Sequence, residues 1–175
     1  MISSDQGPRV IRPDDVTLFL DFDGVLHPHA AFRTKQGIEL RAPGELMMHA
    51  EILSTILQDF PAVRISLSTS WARMLGYLRA RAALPESLQA RTVSSTWHSR
   101  MRTTAAEGYD FHSRYEQICG AVTRGGIRRW LAIDDDPDFS WPVDDSRLVR
   151  CDPNLGLGSL STQQELRSKL AELFD

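Results

Sequence analysis

Cysteine is scarce in this chain: two among 175 residues, Cys119 and Cys151, far apart and outside any CxxC spacing. Neither a disulfide framework nor a zinc site is therefore expected. Lysine is equally scarce. Lys35 and Lys169 are the two, so a combined Lys and Arg count of 20 leaves eighteen arginines. No apolar run approaches the ~20 residues needed to cross a bilayer. The first residues, Met1 to Pro8, show no basic segment followed by an apolar one, so no secretory leader is expected and the cytoplasm is the default location. Repeats, low-complexity tracts and linkers are missing too. A net charge of −3 singles out no class of partner. With 42% hydrophobic and 25% charged residues, the chain has the make-up of one soluble domain with a real core.

What is present starts at Leu18-Phe19-Leu20-Asp21-Phe22-Asp23-Gly24. A short apolar run bounded by a turn signal reads as a buried strand. Residues two apart on a strand share a side, so Asp21 and Asp23 leave its end together, and Gly24 permits a sharp turn. Two carboxylates held together repel unless a cation or a shared proton lies between them. An ordinary hairpin turn is the competing reading of Asp-Gly. A calcium loop is excluded, because the twelfth position counted from Asp21 is Phe32 rather than Glu.

Two more strand ends carry polar groups. Val63 to Leu67 is an alternating run closed by Ser68, Thr69 and Ser70, and Trp130 to Ile133 is followed by Asp134, Asp135 and Asp136. A solvated turn would account for either alone. In a parallel α/β sheet, however, ligands bind at the carboxyl ends of strands. Endings of Asp-x-Asp, Ser/Thr and Asp-Asp, in that order, would then converge on one crevice.

In that order the three endings resemble the haloacid dehalogenase-type (HAD) phosphohydrolase superfamily. Its first motif is matched by Asp21-Phe22-Asp23-Gly24, its second by Ser68, and its fourth by Asp134 and Asp135, over residues 16 to 158. Leu67-Ser68-Thr69-Ser70-Trp71, Ile133-Asp134-Asp135-Asp136 and Cys151-Asp152-Pro153-Asn154-Leu155-Gly156-Leu157 are most similar to a compact bacterial branch that includes HAD domains attached to RNA-repair proteins. The superfamily's third-motif Lys has no counterpart, since no lysine lies between Ser68 and Asp134. Arg114, at the opening of a helix, is the stand-in, and Arg73 is the competing one. A guanidinium can neutralise a carboxylate and a phosphoryl oxygen together, with a different reach from an ammonium.

The resemblance implies a Mg²⁺-dependent phosphomonoesterase. Asp21 would attack phosphorus to give an aspartyl-phosphate, and Asp23 would protonate the leaving oxygen and later deprotonate water. Mg²⁺ favours hard oxygen ligands and would be held by Asp21, the main-chain carbonyl of Asp23, Asp134 and Asp135. Ser68 would hydrogen-bond the phosphoryl group and Arg114 would hold its remaining charge. Gly24, Thr69, Arg73 and His27 would line the substrate side, with His27 at the mouth. Asp136 and Asp138 would orient water or face solvent. The expected substrate is a phosphorylated small molecule or nucleic-acid end, with no membrane and no obligate protein partner. A phosphate- or polynucleotide-binding module with the same fold and little catalysis is the alternative, and dehalogenation is the weaker third.

The expected architecture is α/β: a doubly wound, mostly parallel Rossmannoid sheet without a large cap. A polar lead-in covers residues 1 to 14, and one domain covers 15 to 175. Strands are expected at Val16–Leu20, near Val93, at Trp130–Ile133 and at Arg147–Cys151, with Pro28 to Pro43 as a loop or hairpin flap. Helices are expected over Glu45–Asp59, Trp71–Ala83, Tyr109–Thr123 and Gln163–Phe174, the last capped by Ser161 or Thr162. His27 and His29 as a metal-binding pair is a minor reading. Arg91, Arg100 and Arg102 with Trp97 and His98 form a basic-aromatic stretch that suits either a nucleic-acid strand or a surface loop over one buried Trp. Arg124, Arg128 and Arg129 read as a charged helix end.

Overall fold

A computed structural model describes residues 15–102, 109 and 112–175, without the side chains of Arg100 and Arg102. The lead-in over residues 1 to 14 lies outside the described residues, as do the side chains of Arg100 and Arg102 in the basic stretch.

The chain builds a five-stranded sheet in the order β5-β4-β1-β6-β7. These strands are Val16–Leu20 (β1), Val63–Leu67 (β4), Thr92–Ser95 (β5), Arg129–Asp134 (β6) and Leu148–Arg150 (β7). All four pairings are parallel. β1 is central and buried at every position, as strands covered on both faces are. Its alternation divides the core. Val16, Leu18 and Leu20 join the larger cluster with Leu53, Ile56 and Leu57 of α1 (Ala50–Gln58) and Leu166 and Leu170 of α6 (Leu160–Glu172). Phe19 points the other way, to Trp130, Trp141 and Ile118 of α5 (Arg114–Gly125). Each such buried side chain contributes about 1.5–3 kcal/mol.

After β1 the chain makes a small antiparallel hairpin, β2 (Ala31–Thr34) and β3 (Gly37–Leu40), the flap expected over Pro28 to Pro43. The single helix expected over Trp71–Ala83 is instead two, α2 (Ser70–Leu75) and α3 (Tyr77–Ala82). The break falls at Gly76, whose φ of 88° a helix cannot contain. A one-turn helix, α4 (Glu86–Gln89), follows Pro85. The last helix starts earlier than expected because Ser159 is its cap, accepting from the Thr162 N–H. α1 likewise spans less than Glu45–Asp59, since residues 46 to 49 form turns. No described helix is long and apolar enough to cross a membrane.

The segment after β7 braces the turn after β1. Leu157 N–H donates to the Val25 carbonyl at 2.9 Å, and His29 N–H donates to the Pro153 carbonyl at 2.7 Å. Gly156 has φ +50°, and a Cβ there would run into the Val25 carbonyl. Gly156→Ala is therefore expected to lower the urea unfolding free energy by about 1–3 kcal/mol, the usual scale for a residue forced into a sparsely populated backbone region. An unchanged midpoint would show that this contact braces nothing.

Candidate active site

Strand register brings the polar endings together. Leu20 lies opposite Leu67 on one side and Ile133 on the other, so Asp21, Ser68 and Asp134 follow side by side. The backbone continues the pairing one step: Asp21 N–H donates to the Ile133 carbonyl at 3.1 Å and Ser68 N–H to the Leu20 carbonyl at 2.8 Å. One carboxylate oxygen from each of Asp21, Asp134 and Asp135 lies within 4.8 Å of the others, and all three residues are buried. They line a cleft of about 390 Å³ together with Asp23, His29, Arg73 and Arg114.

Arg114 stands over this cluster because of how its helix begins. Ser113 and Glu116 form a reciprocal capping box: the Ser113 hydroxyl accepts from the Glu116 N–H, and Ser113 N–H donates to Glu116 Oε2 at 2.7 Å. Arg114 is thus the first helical residue. Its Nε lies 3.1 Å from Asp134 Oδ2 and its Nη2 lies 3.6 Å from Asp21 Oδ2. Burial disfavours the guanidinium charge, but Asp21 and Asp134 outweigh it and hold the group more firmly protonated than usual. The reverse holds for the acids. Burial pushes the Asp134 carboxyl up from 3.8 to about 6 and raises Asp21 and Asp135 as well, with Arg114 opposing the rise for the first two and His29 for the third.

When all three are ionised, three carboxylates facing one guanidinium leave an excess of two negative charges, which a divalent cation would cancel. A buried oxygen favours that fit: Asp135 Oδ1 has no hydrogen-bond partner. An all-oxygen donor set suits Mg²⁺. Gly24 permits the close packing, for a Cβ at its φ of +74° would overlap the Asp135 carboxylate.

The family described as "HAD domain in Swiss Army Knife RNA repair proteins" matches residues 17–161. The chain belongs to this family. No curated protein matches it. Family membership supports a HAD-type hydrolase function, of the phosphoesterase kind. Of the two expected stand-ins for the third-motif Lys, Arg114 contacts Asp21 and Asp134, and Arg73 lines the cleft from α2.

Several expected site residues are placed differently. His27 is not at the mouth of the HAD cleft: it is fully buried, with Nε2 3.1 Å from Asp23 Oδ1. His29 takes the exposed place instead, with Nδ1 2.5 Å from Asp135 Oδ2. The segment from 27 to 29 is not a strand, so the two imidazoles do not share a face. The Gly24 N–H donates to the His27 carbonyl and is thereby engaged inside the turn. Thr69 is buried and its hydroxyl caps α2, accepting from the Trp71 N–H. The Asp23 side chain is outside the three-carboxylate group; Trp71 Nε1–H donates to its Oδ2 at 3.1 Å. Asp136 neither faces solvent nor joins the group. It accepts from Ser140 N–H, Ser140 Oγ and Trp141 N–H and pairs with Arg150 at 2.7 Å, while Asp138 is exposed at the rim. Arg91 leaves the basic-aromatic stretch, since its guanidinium donates to the Phe60, Pro61 and Val63 carbonyls. Trp97 is buried. Tyr109, His112 and Gln117 line the cleft and carried no motif.

The raised acids set a pH dependence. Between 3.8 and about 6 the folded protein keeps a proton on Asp134 that the unfolded chain has released. Folding is then coupled to proton uptake, so this group's contribution to stability falls as pH rises through that window and is flat above it. Urea titrations in chelator at about pH 4, 5, 6 and 7 should show a steeper fall over this window for wild type than for Asp134→Asn. Identical slopes would contradict the account.

Proposed function

We propose that the protein is a Mg²⁺-dependent phosphomonoesterase working through an aspartyl-phosphate on Asp21. The observation that carries this reading is the bridge of Arg114 between Asp21 and Asp134 inside a buried cluster with Asp135. Asp21, Asp134, Asp135 and the main-chain carbonyl of Asp23 would hold the metal, which when bound supplies charge neutralisation for an anionic nucleophile and an anionic substrate. Arg114 orients Asp21, opposes its protonation and takes up charge on the phosphoryl oxygens. The unpartnered Ser68 hydroxyl donates to one of them. Asp23, in the same cleft, gives a proton to the leaving oxygen and later accepts one from water.

Substrate size follows from what surrounds the cleft. After β1 the chain adds only the β2–β3 hairpin. Between β4 and α5 the described residues form short helices and one strand rather than a separate cap. An open cleft suits a phosphate protruding from a large molecule. The matched family's place in RNA-repair proteins favours nucleic-acid ends over small phosphates and a cytoplasmic setting. A binding module that does no chemistry would need no second carboxylate at Asp23.

Phosphate release from 3′- and 5′-phosphorylated oligonucleotides, nucleotides, sugar phosphates and phosphopeptides tests this, with Mg²⁺ and with chelator. Turnover is expected only with metal, to be strongest on oligonucleotide ends, and to fall to background in Asp21→Asn. Release that survives that substitution would overturn the mechanism. Silence of folded, Mg²⁺-binding protein across the panel would favour the binding module.

A further inference from the structure

His27 and Trp71 are both buried, come from different parts of the chain, and aim at one carboxylate. His27 is 0% exposed and Trp71 4%. The Met47 N–H donates to His27 Nδ1 at 3.4 Å. A ring nitrogen that accepts carries no proton, so the neutral imidazole holds its hydrogen on Nε2. That Nε2–H points at Asp23 Oδ1, 3.1 Å away. The Trp71 indole N–H, which can only donate, lies 3.1 Å from Asp23 Oδ2. Each Asp23 oxygen thus receives one N–H. The donors are locked in turn: Trp71 packs edge-on to Phe22 at 5.5 Å and against His27 at 5.7 Å.

We infer that His27 and Trp71 are positioning residues that clamp Asp23 as the proton-transfer group and keep it from joining the neighbouring metal-binding carboxylates. This rests on the phosphomonoesterase reading. A carboxylate beside a divalent cation is drawn to it, and one bound there no longer serves as a base. The two N–H donors hold Asp23 on the leaving-group side. In the first step the Asp21–phosphorus bond forms, the bond from phosphorus to the leaving oxygen breaks, and the Asp23 proton passes to that oxygen. In the second, water gives its proton to Asp23 and attacks phosphorus, and the Asp21–phosphorus bond breaks. Both steps use Asp23 in one orientation, which the clamp supplies.

The leaving group separates this role from simple support. An alkoxide leaving group needs the proton; 4-nitrophenolate does not. His27→Leu and Trp71→Phe are each expected to lower kcat/KM at least about tenfold on a nucleoside monophosphate or oligonucleotide end, within the 10²–10⁴-fold range of general acid catalysis. The loss on 4-nitrophenyl phosphate should be much smaller, because kcat/KM there reports a step that needs no acid. Asp23→Asn should show the same contrast. His27→Gln, whose amide nitrogen can reach the Nε2 position, should recover activity relative to His27→Leu. Mg²⁺ affinity should not weaken in either variant. Should His27→Leu fail to fold, Trp71→Phe carries the test, since it keeps a ring against Phe22. Equal losses on both substrates, or none in an active protein, would overturn the clamp alone. A wild type that hydrolyses neither substrate would overturn the phosphomonoesterase reading and the clamp with it.

Discussion

Repulsion among Asp21, Asp134 and Asp135, buried at one end of the sheet and offset by Arg114, is the constraint around which this molecule is arranged. Burying several carboxylates together is costly unless charge is returned to them. The fold returns part through a guanidinium set at the first residue of α5 by the Ser113–Glu116 capping box. It leaves an excess of negative charge that suits a divalent cation and a phosphoryl group arriving together. Burial and the neighbouring carboxylates raise Asp21 and Asp134, Arg114 opposes them, and the rise prevails. The site therefore favours either protons or metal.

The loops around the cluster preserve this arrangement. Gly24 lets Asp135 approach the turn after β1, and Gly156 lets the segment after β7 close over the same turn. Asp136 sits at φ +40° and gathers residues 140 and 141 and Arg150 around its carboxylate. Backbone in that region is costly for a residue with a side chain. Its ring of hydrogen bonds offsets the cost and fixes the loop behind Asp134 and Asp135. The third acid of Asp134-Asp135-Asp136 thus braces this loop.

Much of this was legible in the chain itself. The apolar run of β1, bounded by Asp21 and Gly24, marks a central strand because nothing else in it is polar except Thr17. Three polar endings in a parallel sheet predict one crevice, since parallel pairing aligns strand ends. Arg114 and Arg73 are not separated by sequence alone; the helix expected from Tyr109 starts instead at Arg114, where Ser113 and Glu116 cap it. The misjudged residues depend on contacts distant in sequence or on local turns. His27 and His29 look equivalent in sequence, but the turn from Asp23 to His27 buries one and exposes the other. Trp71 enters the sequence reading only as the end of Leu67-Ser68-Thr69-Ser70-Trp71 and the start of a helix, and its indole N–H finds Asp23 only when β4 lies beside β1. Gly76, inside an otherwise helical stretch, was the available signal for the break between α2 and α3.

The claim that the cluster exists to make Asp21 a nucleophile has a direct test. Wild type and Asp23→Asn, mixed with Mg²⁺ and 4-nitrophenyl phosphate, would be quenched in acid within one turnover, digested, and mapped by mass spectrometry. A phosphoryl group on the peptide bearing Asp21, accumulating in Asp23→Asn because water is no longer deprotonated, is the predicted result. Turnover by the wild type with no phosphorylated Asp21 in either protein, or with the label on another residue, would contradict it.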